Sequence, residues 1–88
     1  MNKYTCPCCG YKTLEEKPPG TYDICPICFW EDDRIQFENP DYEGGANHVS
    51  LRQGQQNYLS FGACEKEMTK YVRKANKNDI RNHDWKPL

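Results

Sequence analysis

Two cysteine pairs, Cys6-Pro7-Cys8-Cys9 and Cys25-Pro26-Ile27-Cys28, restrict what this chain can fold into more than any other feature. Taking Cys6 with Cys9 and Cys25 with Cys28 gives Cys-x2-Cys-x15-Cys-x2-Cys, a spacing within the range of four-cysteine zinc sites. The reason is geometric. A Cys-x2-Cys turn points its first and fourth side chains the same way, and two facing turns complete a tetrahedron with Zn–S distances of about 2.3 Å. Pro7 and Pro26 fix φ just after the first ligand of each pair, and Gly10 lets the backbone curl so that amides point at sulfur. Phe29 stands where the first pair has Gly10, which predicts a second knuckle that is less tightly curled or one that uses the ring as a lid.

A staple of this kind is what the rest of the chain calls for. At 88 residues it is one domain at most, and a chain of this size buries only roughly 60–65% of the surface its unfolded form exposes. Hydrophobic residues make up 36% of it and the mean hydropathy is -1.04, so apolar burial alone leaves stability marginal. No apolar stretch follows Lys3 and no run approaches the roughly 18 apolar residues of a membrane span. The expectation is a cytoplasmic protein with no membrane segment, in which thiols stay reduced and paired cysteines bind metal or do redox chemistry. A thioredoxin-type site needs a βαβ setting around Cys25–Cys28, and no such pattern flanks it; an iron–sulfur centre is the other use of four thiolates. The spacing favours one structural Zn2+ on Cys6, Cys9, Cys25 and Cys28, with the first half of the chain unfolded without it.

Between the knuckles, Tyr11 to Leu14 and Thr21 to Ile24 read as two strands joined by the Pro18-Pro19-Gly20 turn, in the manner of a zinc ribbon. Arg34 to Phe37 reads as a third strand. Ser50 reads as a helix N-cap, with Gln53 completing a capping box, Leu51, Tyr58 and Leu59 on one face and Gly62 ending the helix in a left-handed cap. Gly54 counts against that helix, since it costs about 1 kcal/mol relative to alanine. Cys64, Met68, Tyr71, Val72 and Ala75 fall at the spacing of a second amphipathic helix. The expected fold is small α+β: zinc-ribbon-like hairpins followed by one or two helices in residues 1–75, then a loosely attached polar tail, 76–88, with only Ile80 and Trp85 to anchor it.

Several residues remain outside the four ligands. Cys8 is either a reactive thiol beside the metal or, the plainer reading, a non-ligand pointing away from it. Cys64 on an apolar face reads as a core cysteine rather than a fifth ligand or redox partner. His48 and His83 stand alone, and His48 reads as a loop residue before a helix. Glu31, Asp32 and Asp33 could form a hard-cation or acid–base site with Asn47, against the alternative of a solvated acidic turn.

With Tyr4-Thr5-Cys6-Pro7-Cys8-Cys9-Gly10-Tyr11, the stretch from Gly20 to Asp33 around Cys25 and Cys28, and Gly44-Gly45-Ala46-Asn47-His48-Val49-Ser50 in view, the chain resembles the bacterial cysteine-rich CPCC family over about residues 4–73. The resemblance implies zinc binding and a bacterial cytosolic setting, with no established biochemical activity.

Charge narrows the partners. From Met1 to Ser50 four basic residues face nine acidic ones, a net -5, and from Leu51 to Leu88 eight face four, a net +4. A saturated four-thiolate site and small size point to a protein-interaction module that presents Trp30, the acidic turn and the helix. Nucleic-acid binding would have to use the basic half, Lys66 to Arg81, and is disfavoured by the acidic ribbon half. An enzyme would have to rest on Cys8 or on Glu31, Asp32 and Asp33, since no His-x-Glu deaminase motif or triad is present.

Overall fold

The computed structural model describes residues 3–88 and begins with two very short strands, β1 (Tyr4–Thr5) and β2 (Lys12–Leu14), that flank the first cysteine turn. They pair antiparallel, Tyr4 opposite Leu14 and Thr5 opposite Lys12, with a bulge between Tyr4 and Thr5. The second turn is flanked likewise by a single bridge between Ile24 and Glu31. The expected hairpin of Tyr11–Leu14 with Thr21–Ile24 is therefore not formed. Each flank pairs across its own cysteine turn, which already reverses the chain, and Tyr22 at φ 60° leaves the extended region a ladder needs. The connection is tied down by a side chain instead: Asp23 Oδ2 accepts from the amides of Glu15 and Glu16 at 3.1 and 3.2 Å.

Arg34–Phe37 is not a third strand but most of α1 (Arg34–Glu38). Asp33 caps it, its Oδ1 accepting from the Gln36 amide at 3.1 Å. Ile35 and Phe37, the apolar residues that suggested a strand, are both exposed, and the buried residue between them is Gln36.

The next helix, α2 (Leu51–Phe61), starts and stops where its caps predict: Ser50 Oγ accepts from the Gln53 amide at 3.1 Å, and Gly62 at φ 88° returns its amide to the Tyr58 carbonyl. Half of the capping box is missing, because the Gln53 side chain donates forward to Asn57 rather than back to Ser50. The inner face is Leu51, Gly54 and Gln55, with Tyr58 half-buried and Leu59 exposed. Gly54 is no defect. A Cβ there would stand 3.2 Å from Trp30 Cζ3 and 3.3 Å from Cys8 Sγ, so its absence lets α2 lie directly on the first knuckle.

The second amphipathic stretch is a 3-10 helix, Lys66–Tyr71, not an α-helix to Ala75, and Val72 is already extended. Its apolar residues still reach the centre: Cys64 is buried, and Met68 and Ala75 pack on the core. That core contains Leu14, Ile27, Trp30 and Leu51 together with all six cysteines. It is built around sulfur rather than beside it.

Residues 76–88 run back across the first knuckle. The Lys12 amide donates to Ile80 O and the Asn82 amide to Gly10 O, both at 2.8 Å, and Tyr11 bridges Arg81. The Arg81 guanidinium lies over the rings of Tyr11 and Trp85 at 5.1 and 5.0 Å. The anchors are thus Arg81 and Trp85, whereas the side chain of Ile80 is exposed. Among the described residues no helix is long and apolar enough to cross a membrane.

Candidate metal centre

The four sulfurs of Cys6, Cys9, Cys25 and Cys28 lie within 4.8 Å of one another, and all four residues are fully buried. The close approaches cross between knuckles, Cys6 to Cys28 at 3.6 Å and Cys9 to Cys25 at 3.7 Å. A regular tetrahedron with bonds of about 2.3 Å sets its sulfurs about 3.8 Å apart, so the cluster has the dimensions of a four-thiolate metal site.

The local backbone explains how a short chain achieves this. In each knuckle the residue after the second cysteine donates its amide to the carbonyl of the first, Gly10 to Cys6 and Phe29 to Cys25, at 2.8 Å in both. The first cysteine's amide closes the outer ring, Cys6 onto Tyr11 O at 2.8 Å and Cys25 onto Trp30 O at 3.0 Å. Gly10 has φ 83° and Phe29 φ 70°. The second knuckle is therefore curled as tightly as the first, contrary to the looser turn that a phenylalanine suggests. It tolerates a left-handed conformation that is unusual for a bulky residue. The Phe29 ring lies against Tyr71, with centroids 5.5 Å apart.

Donors converge on the second knuckle's sulfurs. The Ile27 amide points at Cys25 Sγ from 3.4 Å, the Trp30 amide at Cys28 Sγ from 3.5 Å, and Thr13 Oγ1 donates to Cys25 Sγ at 3.0 Å. Sequence reasoning missed Thr13; its only signal was a hydroxyl on a residue flanking the first knuckle. Burial pushes the thiols of Cys6 and Cys28 well up, and the hydrogen bond with Cys25 does the same at Cys9. Cys25 goes the other way: hydrogen bonding from the neighbouring thiols, Cys28 first, then Cys6 and Cys9, with Thr13 behind them, lowers it.

Cys8 is fully buried but outside the cluster, with its sulfur against the Gly54 face of α2. Cys64 is buried next to the second knuckle, its amide donating to Cys28 O at 2.7 Å, and burial raises its thiol above the usual range. His48 faces Glu65, Nδ1 to Oε1 at 3.3 Å, and its side chain is mostly exposed. His83 lies next to Asp84 on the surface.

The acidic turn is not a solvated one. Asp32 and Asp33 are buried, and each carboxylate ties down a distant segment: Asp32 Oδ2 accepts from the Thr21 amide and hydroxyl at 3.0 and 2.8 Å, and Asp33 Oδ2 from the Ala46 amide at 2.8 Å. Asn47 does converge with them, but through Glu31's main chain, accepting from its amide at 2.9 Å and donating to its carbonyl at 2.8 Å. Gln36, which the sequence offers only as a position within the expected third strand, ties this network together: its Nε2 donates to the carbonyls of Tyr42, Asn47 and Val49, and its Oε1 accepts from both nitrogens of Asn47. These groups hold the loop from residue 39 to 50 against the second knuckle. They leave Asp33 committed to two backbone amides and Asp32 Oδ2 to Thr21, with Asp32 Oδ1 buried and unpartnered, and Cys8 sealed beneath α2, so none of these groups opens to solvent where a substrate could meet it. Trp30 is buried as well, 1% exposed, and so is no part of a docking surface.

A family model described as "Cysteine-rich CPCC" matches residues 4–79. No curated protein matches the chain.

Proposed function

From the premise that the chain belongs to the cysteine-rich CPCC family, we propose that it is a small zinc-binding protein whose fold depends on one structural zinc held by Cys6, Cys9, Cys25 and Cys28, and that it serves as a protein-interaction module in the cytoplasm. The observation that carries this reading is the closure of the site: four sulfurs at thiolate-tetrahedron distances, all fully buried. Zinc with four thiolates has no open position for a substrate or activated water, and so acts through structure. Bound there, it would also hold all four cysteines as thiolates, including the three whose thiols are otherwise raised.

Native mass spectrometry of protein expressed without added metal tests the first half. The expected mass is that of the chain plus one zinc, with two thiols, Cys8 and Cys64, left unligated. An iron content, or no metal, would exclude it. For the interaction half, the zinc-loaded chain used as bait in its host is expected to retain a protein partner that the chelated chain loses. With Trp30 and the acidic turn interior, that partner must be met by other groups. The basic C-terminal half is the alternative route, to nucleic acid. A salt-dependent shift of DNA or RNA in a gel would favour that route over a protein partner.

A further inference from the structure

A cavity of about 340 Å³ lies behind the second knuckle's proline and is lined by Lys3, Lys12, Thr13, Arg73, Asp79 and Ile80, among others. Its charge is unexpected for its place. The first fifty residues carry only four basic side chains against nine acidic ones. Two of the four, Lys3 and Lys12, line this cavity, and Arg73 joins them from the basic half. Three cations against the one lining carboxylate, Asp79, leave a net +2.

The donors are placed rather than merely nearby. Asp79 grips Arg73 by both guanidinium nitrogens at 2.8 and 2.9 Å and accepts from the Asn76 amide at 2.7 Å, fixing the guanidinium at the wall. Arg73 Nη1 also donates to Lys74 O, so that three of the five N–H groups an arginine offers are engaged. Lys3 pairs with Glu15, while the Lys12 ammonium has no hydrogen-bond or ion-pair partner among the described residues. Lys12 is held in β2, with its amide bonded to Ile80 O at 2.8 Å.

We propose that this cavity binds a dianionic phosphate group, with Lys12 and Arg73 as its direct donors and Lys3 at the rim. A tetrahedral phosphate directs its oxygens both to the unpaired Lys12 ammonium and to the two Arg73 N–H groups that Asp79 and Lys74 leave open. This site is independent of the interaction-module reading and does not touch the sulfur cluster except through Thr13, whose hydroxyl is already donated to Cys25.

The test uses the metal-loaded full chain at low ionic strength, titrated with inorganic phosphate while the amide resonances of Lys12, Thr13 and Arg73 are followed. Saturable shifts confined to this wall are expected, with binding about tenfold weaker in Lys12→Ala. Lys17→Ala, which alters a basic residue outside the cavity, is expected to bind as the parent does. Acetate and chloride at matched ionic strength should give no saturation. The proposal is overturned if acetate competes equally, or if Lys12→Ala binds phosphate unchanged. It is also overturned if Lys12→Ala loses metal while the parent shows no saturable phosphate shift, because the cations would then serve only to balance the thiolates. Oligonucleotides with and without a 5′-phosphate separate the sources of the group. Dependence on the terminal phosphate supports the dianion, whereas equal binding of both, with none of inorganic phosphate, would replace it with a backbone diester.

Discussion

At the residue after its second cysteine, the first knuckle has Gly10 at φ 83° and the other has Phe29 at φ 70°, with the same 2.8 Å hydrogen bond to the leading cysteine's carbonyl in both. One backbone is thus adopted by the residue best suited to it and by one of those least suited. The geometry of four converging sulfurs dictates the curl, and the residue accommodates it. What differs is the covering. A Cβ at Gly10 would stand 2.6 Å from Trp85 Cδ2 and Cε3, so the glycine is required by the tail that lies on it as much as by φ. The second knuckle is covered by the 3-10 segment instead, and Phe29 meets Tyr71 there.

Removing the metal tests what the knuckles share. If zinc is what dictates the curl, chelation forfeits a binding free energy of roughly 10–16 kcal/mol, more than a small domain's net stability. Amide dispersion should collapse across both knuckles, and Cys28→Ser should behave like the chelated chain. Retained dispersion in either knuckle alone would show that the two do not depend on one centre.

Gly10→Ala sharpens the difference. It adds left-handed strain to a collision with Trp85, and a loss of about 3 kcal/mol is expected in guanidinium unfolding of the metal-loaded protein. Truncating the partner as well, in Gly10→Ala with Trp85→Ala, should recover the collision part of that loss. Thr13→Val removes the hydroxyl that the first knuckle's strand gives to the second knuckle's sulfur. About 1–2 kcal/mol and roughly tenfold faster zinc transfer to a chromogenic chelator are expected. Phe29→Gly relieves strain and discards the contact with Tyr71, effects of similar size, and should fall within about 1 kcal/mol of the parent.

The smallest effect is one of pH, at Cys64 beside the second knuckle. Burial first, then the neighbouring Cys8, raises this thiol above its ordinary value of 9.0. A proton held more tightly by the folded chain stabilises it fully below that value, and the contribution is lost as pH rises from 9.0 towards the folded value. Alkylation of the metal-loaded protein should leave Cys64 unmodified at pH 8, with no inflection in its rate near 9.0.

Features set by neighbours in sequence were legible in it. Cys6, Cys9, Cys25 and Cys28 follow from spacing, and α2 from the caps Ser50 and Gly62, because each signal lies within about four residues of what it controls. Features set by distant partners were not. Asp33 looks like one charge in an acidic run, yet it is buried because Ala46, thirteen residues on, donates to it. Gln36 reads as the polar member of an alternating strand, and its partners lie 6 to 13 residues away. Cap preference at Asp33 is the one local signal of this helix, and the alternation of Ile35 and Phe37 points the other way. The tail's docking at Pro7, Cys9 and Gly10 spans more than 70 residues and left no local trace beyond Trp85 itself.

Equivalent carbonyls on the two knuckles are occupied by later parts of the chain. Pro7 O takes the Gln55 amide group and the Trp85 indole N–H, each at 2.9 Å, and Pro26 O takes the Arg73 amide at 3.2 Å. Cys9 O takes Arg81 Nε at 3.0 Å, and Cys28 O the Cys64 amide. These acceptors are presented together only on a turn that has already curled, so the C-terminal half docks on a surface that a metal held by the four cysteines would stabilise. The dependence is thermodynamically mutual: whatever docking gains from a curled knuckle, the ion gains from a docked chain. The residues from 80 onward, which contribute no sulfur, would therefore belong to the affinity of a metal held there, and shortening the chain would loosen an ion bound only by distant cysteines.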